Sequence, residues 1–281
     1  MPRSDWQRPP LKPLVEGERR IMLKVAYNGT HYSGWQKQTN AHSVVGELEQ
    51  ALVKMLEESV VIIGSGRTDS GVHAIGQVCH FDILNKKIRG TSFAPALNRL
   101  LPLDIRILES CEVDGTFHSR FSTMARMYRY YIKEEKTVTP FDDHQVGKIR
   151  KFPEISLLQE YAEVIQGTHD FTTFTASGDI CPSKCRDIYE SFWSYETDRW
   201  GSKVLVYTIC GNAFLYKMVR SLVGSMIEFS EKQRPVSDFI QALASKDRHL
   251  AGRTASPWGL YLVRISYDKQ EYAWFEEKSN E

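Results

Sequence analysis

An arginine and an aspartate stand two positions apart, Arg67 and Asp69, inside the run Gly64-Ser65-Gly66-Arg67-Thr68-Asp69-Ser70-Gly71-Val72-His73-Ala74. Glycine tolerates backbone angles that other residues resist, so such a loop can be tight and shaped. A carboxylate and a guanidinium raised on it suit chemistry, although an arbitrary Arg-x-Asp usually marks no more than a weak surface ion pair. Three chemistries compete. Gly64-x-Gly66 begins like a dinucleotide-binding loop, but Asp69 stands where the third glycine belongs and would repel a pyrophosphate. Asp69-Ser70-Gly71 has the form of an aspartic protease motif, a reaction that needs two carboxylates sharing a proton. No second Asp-Ser-Gly or Asp-Thr-Gly exists, so a dimer would have to supply the partner. The adjacent arginine favours an unshared, charged carboxylate over such a dyad. The third reading is a lone carboxylate nucleophile, positioned by arginine, working on a bound nucleic acid.

Several elements must hold this loop. The apolar run Val60–Ile63 before it reads as a buried strand, and Gln77–Phe81 after it as a second strand. Structure is expected to begin at Ile21–Tyr27, a strand ending at the Asn28-Gly29 turn. Val44, Leu48, Ala51, Leu52 and Met55 recur at helical spacing behind Ser43, a plausible N-cap. Phe93–Leu101 reads as a short helix ended by Pro102, and Ile105–Val113 as a strand. Met124–Lys133 alternates, placing Arg126, Tyr128, Tyr130 and Ile132 on one face and Met127, Arg129 and Tyr131 on the other. From Thr116 to Lys133 there is no acidic residue, and basic and aromatic side chains interleave. That mixture suits phosphates and base faces, or a strand with a solvated basic face. In the second half, Ile155–Ile165 and Phe239–Ala244 read as helices, Arg186–Glu196 and Lys203–Cys210 as a strand pair turning near Trp200-Gly201, and Gly259–Ile265 as a last strand. Phe214–Met226 reads as one strongly apolar core helix. Arg220 must then either point outward or find a carboxylate, since a buried unpaired guanidinium is costly.

Composition sets outer limits. The 281 residues, 42% hydrophobic and 25% charged, suit one large globular domain or two ordinary ones. A formal net charge of +1 gives no global support for a nucleic-acid partner, so only a local basic patch could provide it. Five scattered cysteines favour reduced thiols and a cytoplasmic setting. Cys181-Pro-Ser-Lys-Cys185 has loose zinc spacing, but no second ligand pair lies near and His169 stands alone, so no metal is expected. No run approaches the ~20 apolar residues of a membrane span, and no secretory or transit signal is expected at the start. The chain divides into a flexible tail over 1–18, a first lobe over 19–114 with the Arg67–Asp69 loop, a second lobe over 115–270 and a tail over 271–281 with the charged end Lys278–Glu281.

Gly66–His73 resembles the signature of the TruA-type tRNA pseudouridine synthases. Tyr27–Gln36, Phe117–Ser122, Tyr128–Tyr130, Phe214–Arg220 and Gly259–Val263 match that family's other blocks in order, from about residue 20 to residue 267. The resemblance implies an α+β fold of two lobes, each with a mainly antiparallel sheet backed by helices, and an active-site cleft between them. It also implies a homodimer that grips tRNA and isomerises uridine to pseudouridine in the anticodon arm, at positions 38 to 40 in tRNA numbering, without cofactor or metal. By the same resemblance Asp69 is the catalytic aspartate and Arg220 its ion-pair partner. Tyr128 is the active-site tyrosine, whose hydroxyl would help remove the C5 proton, and Arg67 the arginine that enters the RNA helix as the base flips out. Leu260 packs near the flipped base. Arg120, Arg126 and Arg129 are candidates for phosphate contacts or for supporting the sheet beneath.

Overall fold

The protein is seen as a computed structural model that describes residues 13–84 and 87–268. Most of the expected first tail and all of the expected tail over 271–281, with Lys278–Glu281, lie outside the described residues. The strands are β1 (Arg19–Tyr27), β2 (Ile63–Gly64), β3 (His73–Ile83), β4 (Ile105–Val113), β5 (Ala125–Glu134), β6 (Gly147–Ile149), β7 (Gly167–Asp170), β8 (Cys185–Thr197), β9 (Lys203–Gly211) and β10 (Leu260–Ser266). The helices are α1 (Val44–Leu56), α2 (Phe93–Leu97), α3 (Ile155–Val164), α4 (Met218–Glu231) and α5 (Val236–Ser245).

Instead of one sheet per half, a single mainly antiparallel sheet runs through both, in the order β4-β1-β3-β10-β5-β9-β8-β7, with β2 on β3 and β6 on β5. The join is β10. It pairs parallel with the start of β3 at Tyr261–His73 and Leu262–Ala74, and antiparallel with β5 along its other edge. Chain from the far end is thereby laid directly beside the residues that leave the Arg67–Asp69 loop. The period-two pattern of β5 sorts as expected. Tyr128, Tyr130 and Ile132 enter the main core, which also holds the apolar faces of the helices, while Ala125 and Met127 join Cys210 in a small second cluster.

Two elements depart from their sequence patterns. Val60–Ile63 is not a buried strand. Only Ile63 and Gly64 pair with β3, and burial alternates, with Val60 and Ile62 buried and Val61 74% exposed. Four apolar residues in a row are ambiguous between a run buried on both sides and an irregular edge. The apolar helix begins at Met218 rather than Phe214. Lys217 adopts the left-handed conformation at φ 56°, and Asp179 takes the Tyr216 amide with a carboxylate oxygen at 2.7 Å, so Leu215–Met218 forms a separate turn. By contrast, Ser43 does cap α1, accepting the Gly46 N–H at 3.2 Å.

Candidate active site

The Gly64–Ala74 loop is pinned from several sides. The Ser65 amide donates to the Val78 carbonyl at 2.8 Å and the Trp35 amide to the Thr68 carbonyl at 3.2 Å. The Tyr27 hydroxyl meets Thr68 Oγ1 at 2.8 Å, and Gln77 Nε2 donates to the Gly66 carbonyl at 3.0 Å. His73 closes the exit, its Nδ1 accepting the Gly29 amide at 3.0 Å. Gly34 lets the neighbouring chain approach, because it sits at φ +98° and a Cβ there would lie 2.4 Å from the Thr68 oxygen. The loop's tip is therefore fixed largely by contacts from the segments around it.

Asp69 meets Arg220. One carboxylate oxygen lies 3.0 Å from Nη1, with the two side chains 23% and 12% exposed, and the two positions are 151 residues apart in the chain. The second carboxylate oxygen has no hydrogen bond to protein among the described residues. Arg220 is in the first turn of α4, where a cation opposes the helix dipole and a facing carboxylate restores balance. Its Nε donates to the Ala255 carbonyl at 2.9 Å, and its own carbonyl accepts the Ala255 amide at 3.0 Å. The guanidinium is thus held between a loop and a helix before any ligand arrives, a charge-assisted contact of the stronger kind.

The pair borders a cavity of about 940 Å³, large enough for a nucleotide. Tyr128 from β5 and Leu260 from β10 line it, and both are buried. The Tyr128 ring meets Phe214 edge-on at 5.1 Å, and burial pushes its phenol up to about 12, with Asp69 adding to the rise and Arg126 opposing it. Six cations line the cavity, Arg67, Arg120, Arg126, Arg186, Lys217 and Arg220, against two carboxylates, Asp69 and Asp179. Both carboxylates are engaged, Asp179 with Lys184 at 2.8 Å and with two backbone amides. Asp179 is therefore committed, which removes the cavity's one other carboxylate as a proton-sharing partner for Asp69 and with it the protease reading of Asp69-Ser70-Gly71 within one chain.

The sequence-predicted arginines separate. Arg67 and Arg120 are exposed at the cavity, and Arg120 lies 5.8 Å over the Phe121 ring. Arg126 lines the cavity but braces it, with Nη1 on the Asn212 carbonyl at 2.7 Å and Nη2 on the Ser65 carbonyl at 2.8 Å. Arg129 is on the opposite face of β5, outside the cavity lining, and pairs with Glu196. Lys133 is fully buried between Asp142 and Asp198 at 2.8 and 2.7 Å. Arg129 and Lys133 of the acid-free stretch are thus neutralised by carboxylates from outside it. Lys217, Arg186 and Asp179 also line the cavity without a local sequence signal for it, Lys217 because the apolar pattern of Phe214–Met226 runs through it. Cys181 lines the cavity and Cys185 is exposed, both as free thiols. No cluster of three metal-ligating side chains occurs among the described residues.

A model of the family described as tRNA pseudouridine synthase matches residues 24–122 and 162–268, which include the loop, Arg220 and Leu260. The chain belongs to the tRNA pseudouridine synthase family. It is 42% identical over 259 residues to the tRNA pseudouridine synthase A of Treponema denticola, covering 90% of this chain and 95% of that one. It is 39% identical over 251 residues to the protein of that name in Exiguobacterium sp., covering 89% and 99%, and 40% identical over 251 residues to that of Streptococcus gordonii, with the same coverage. These likenesses to tRNA pseudouridine synthases span the catalytic-looking loop and both walls of the cavity.

Proposed function

We propose that the chain isomerises uridine to pseudouridine in tRNA, in the anticodon arm at positions 38 to 40, with Asp69 as the catalytic carboxylate. The observation that carries this reading is the Asp69–Arg220 pair at 3.0 Å on the wall of a cation-lined cavity, with one carboxylate oxygen still open. The reaction breaks the C1′–N1 bond, turns the base, joins C5 to C1′, moves a proton from C5 and delivers one to N1. It is a rearrangement without redox change, so the residues need only position, stabilise charge and move protons. Asp69 supplies the carboxylate that every version of the first step requires. Arg220 orients it. Leu260 and the Tyr128 ring bound the slot for the flipped base, and exposed Arg67 stands where a planar guanidinium can take the place that the base leaves.

Tyr128 is a neutral phenol throughout the working pH range, because burial holds it near 12. Its ring packs against the slot, and its hydroxyl is the candidate for helping to remove the C5 proton. Arg120 at the rim is the remaining phosphate candidate of the predicted set, while Arg126 and Arg129 support the sheet. We read the two halves of the shared sheet as two lobes, 19–114 and 115–270, with the cavity between them. We read the working enzyme as a cytoplasmic homodimer that holds one tRNA across both subunits. No helix among the described residues is long and apolar enough to cross a membrane, which fits that setting.

Asp69→Asn tests the assignment. With tritium at uridine C5 of unmodified tRNA, wild-type protein should release label at positions 38 to 40, and the variant should lose about 10⁴-fold or more in turnover. Fold and tRNA binding should survive. Normal turnover by the variant would exclude Asp69, and release mapped elsewhere would change the substrate position but keep the reaction.

A further inference from the structure

Three arginine or lysine side chains are buried among the described residues: Arg20, Lys133 and Arg186. Arg20 is held by both oxygens of Asp82, and Lys133 by two aspartates. Arg186 is 8% exposed and has no carboxylate partner. Its guanidinium is wrapped by the turn that precedes it. Nη1 donates to the carbonyls of Ser183 at 2.9 Å and Cys185 at 2.6 Å, and Nη2 to the Cys181 sulfur at 3.2 Å. A guanidinium has five N–H groups. Three are used here, one of them on a weak sulfur acceptor, and Nε is buried with no acceptor at all. Removing a charge from water with only neutral acceptors around it is expensive. Where the fold buries a cation elsewhere, it supplies the anion; here it does not, and this is the one such cation that lines the cavity.

We propose that Arg186 is a substrate-binding residue whose missing anion is a backbone phosphodiester of the RNA, and that the phosphate is seated beside Cys181. The inference rests on the RNA substrate of the preceding section. Arg186 stands at the second position of β8, opposite His169 of β7, so the strand pair fixes its backbone while the Cys181–Cys185 turn fixes its head. That is a site built before the ligand arrives. The phosphate takes the Nη2 donors, displacing the weak thiol contact, and its charge compensates the guanidinium.

The test is equilibrium binding of an unmodified tRNA transcript to wild-type protein, Arg186→Gln and Arg186→Lys across a salt series, with pseudouridine formation measured in parallel. Loss of a charge-assisted contact should weaken Arg186→Gln by about tenfold to a hundredfold. The slope of log affinity against log salt should fall by about one. Arg186→Lys keeps the charge and should keep the slope, although it cannot hold the turn's carbonyls as the planar fork does. Unchanged affinity and slope in Arg186→Gln would overturn the proposal, as would equal losses in both variants with the wild-type slope, the pattern of a mere turn staple. A second measurement uses wild-type protein alone and covers the case of a variant that does not fold. Bound tRNA should slow maleimide alkylation of Cys181 and leave that of Cys111, on distant β4, unchanged. No protection of Cys181 would overturn the proposal. Binding with these signatures but no pseudouridine would remove the reaction and leave the phosphate site standing.

Discussion

Asp69 and Arg220 illustrate what a residue can and cannot reveal before folding. The loop motif marked Asp69, while the apolar surroundings of Arg220 left it either to point outward or to find a carboxylate, and the meeting at 3.0 Å is the second outcome. Arg129 was less legible. It stands on the same strand as Arg126, yet Glu196 comes to it from another strand, and no local pattern carries that partner. Tyr128 gives the sharpest test at this scale. Its phenol has a value pushed up from about 10 to about 12 by burial, so the neutral form dominates at every pH below that value. The rate against pH should therefore show no rising limb from Tyr128 between about pH 7 and about pH 9, and Tyr128→Phe should keep the profile's shape. A rising limb in that range that vanishes in Tyr128→Phe would show the phenolate acting as the base.

Single elements explain which parts of the pattern misled. Four apolar residues at Val60–Ile63 look the same whether they form a strand or an alternating edge, and β2 pairs with β3 only at Cys79 and His80, on the edge that β10 takes at His73 and Ala74. Long periodic elements such as α1 and β5 were readable because burial repeats at the element's own period. β3 carries two buried histidines, and they make stability depend on pH. Burial, with Arg20 nearby, pushes His80 down to about 4, and burial also lowers His73. His80 Nδ1 lies 2.9 Å from Ser119 Oγ, which donates to the Ile63 carbonyl at 2.7 Å, so the ring ties the Phe117–Ser122 segment to the start of the catalytic loop. Both rings stay neutral in the fold at pH values where the unfolded chain takes up protons. Stability is therefore complete above about pH 6.5 and declines as pH falls toward 4, by at most about 3 kcal/mol for His80 at ~1.4 kcal/mol per pH unit. Urea midpoints at about pH 7 and about pH 4.5 should differ accordingly, and His80→Gln should flatten the difference. An equal drop in His80→Gln would assign the effect to other groups.

Over the whole molecule, charge and continuity are results of folding rather than of composition. A chain with 36 basic and 35 acidic residues gathers six cations and two carboxylates around one cavity, and the net charge of +1 conceals this. In the same way, a sequence that divides into two halves by motif builds one sheet, because β10 returns to the edge of β3. The main core is continuous across that join, running from Leu23 and Phe81 through Leu262 to Ile209 and Met226. Across the same join, Asp69 in one half is held by Arg220 in the other. Neither half can lose its packing without exposing part of the other's apolar face, so unfolding should be cooperative over the chain. In a urea titration, far-ultraviolet circular dichroism, fluorescence from Trp35 in the first half and Trp193 in the second, and pseudouridine formation should all share one midpoint. The chain has six tryptophans, so the signals of Trp35 and Trp193, both buried in that core, are read as differences between the wild type and Trp35→Phe or Trp193→Phe. If activity and the Trp35 signal were lost well before the Trp193 signal, the first half would be an independent unit. The Asp69–Arg220 pair would then be a contact between lobes that open separately, and β10 would be a hinge rather than a seam.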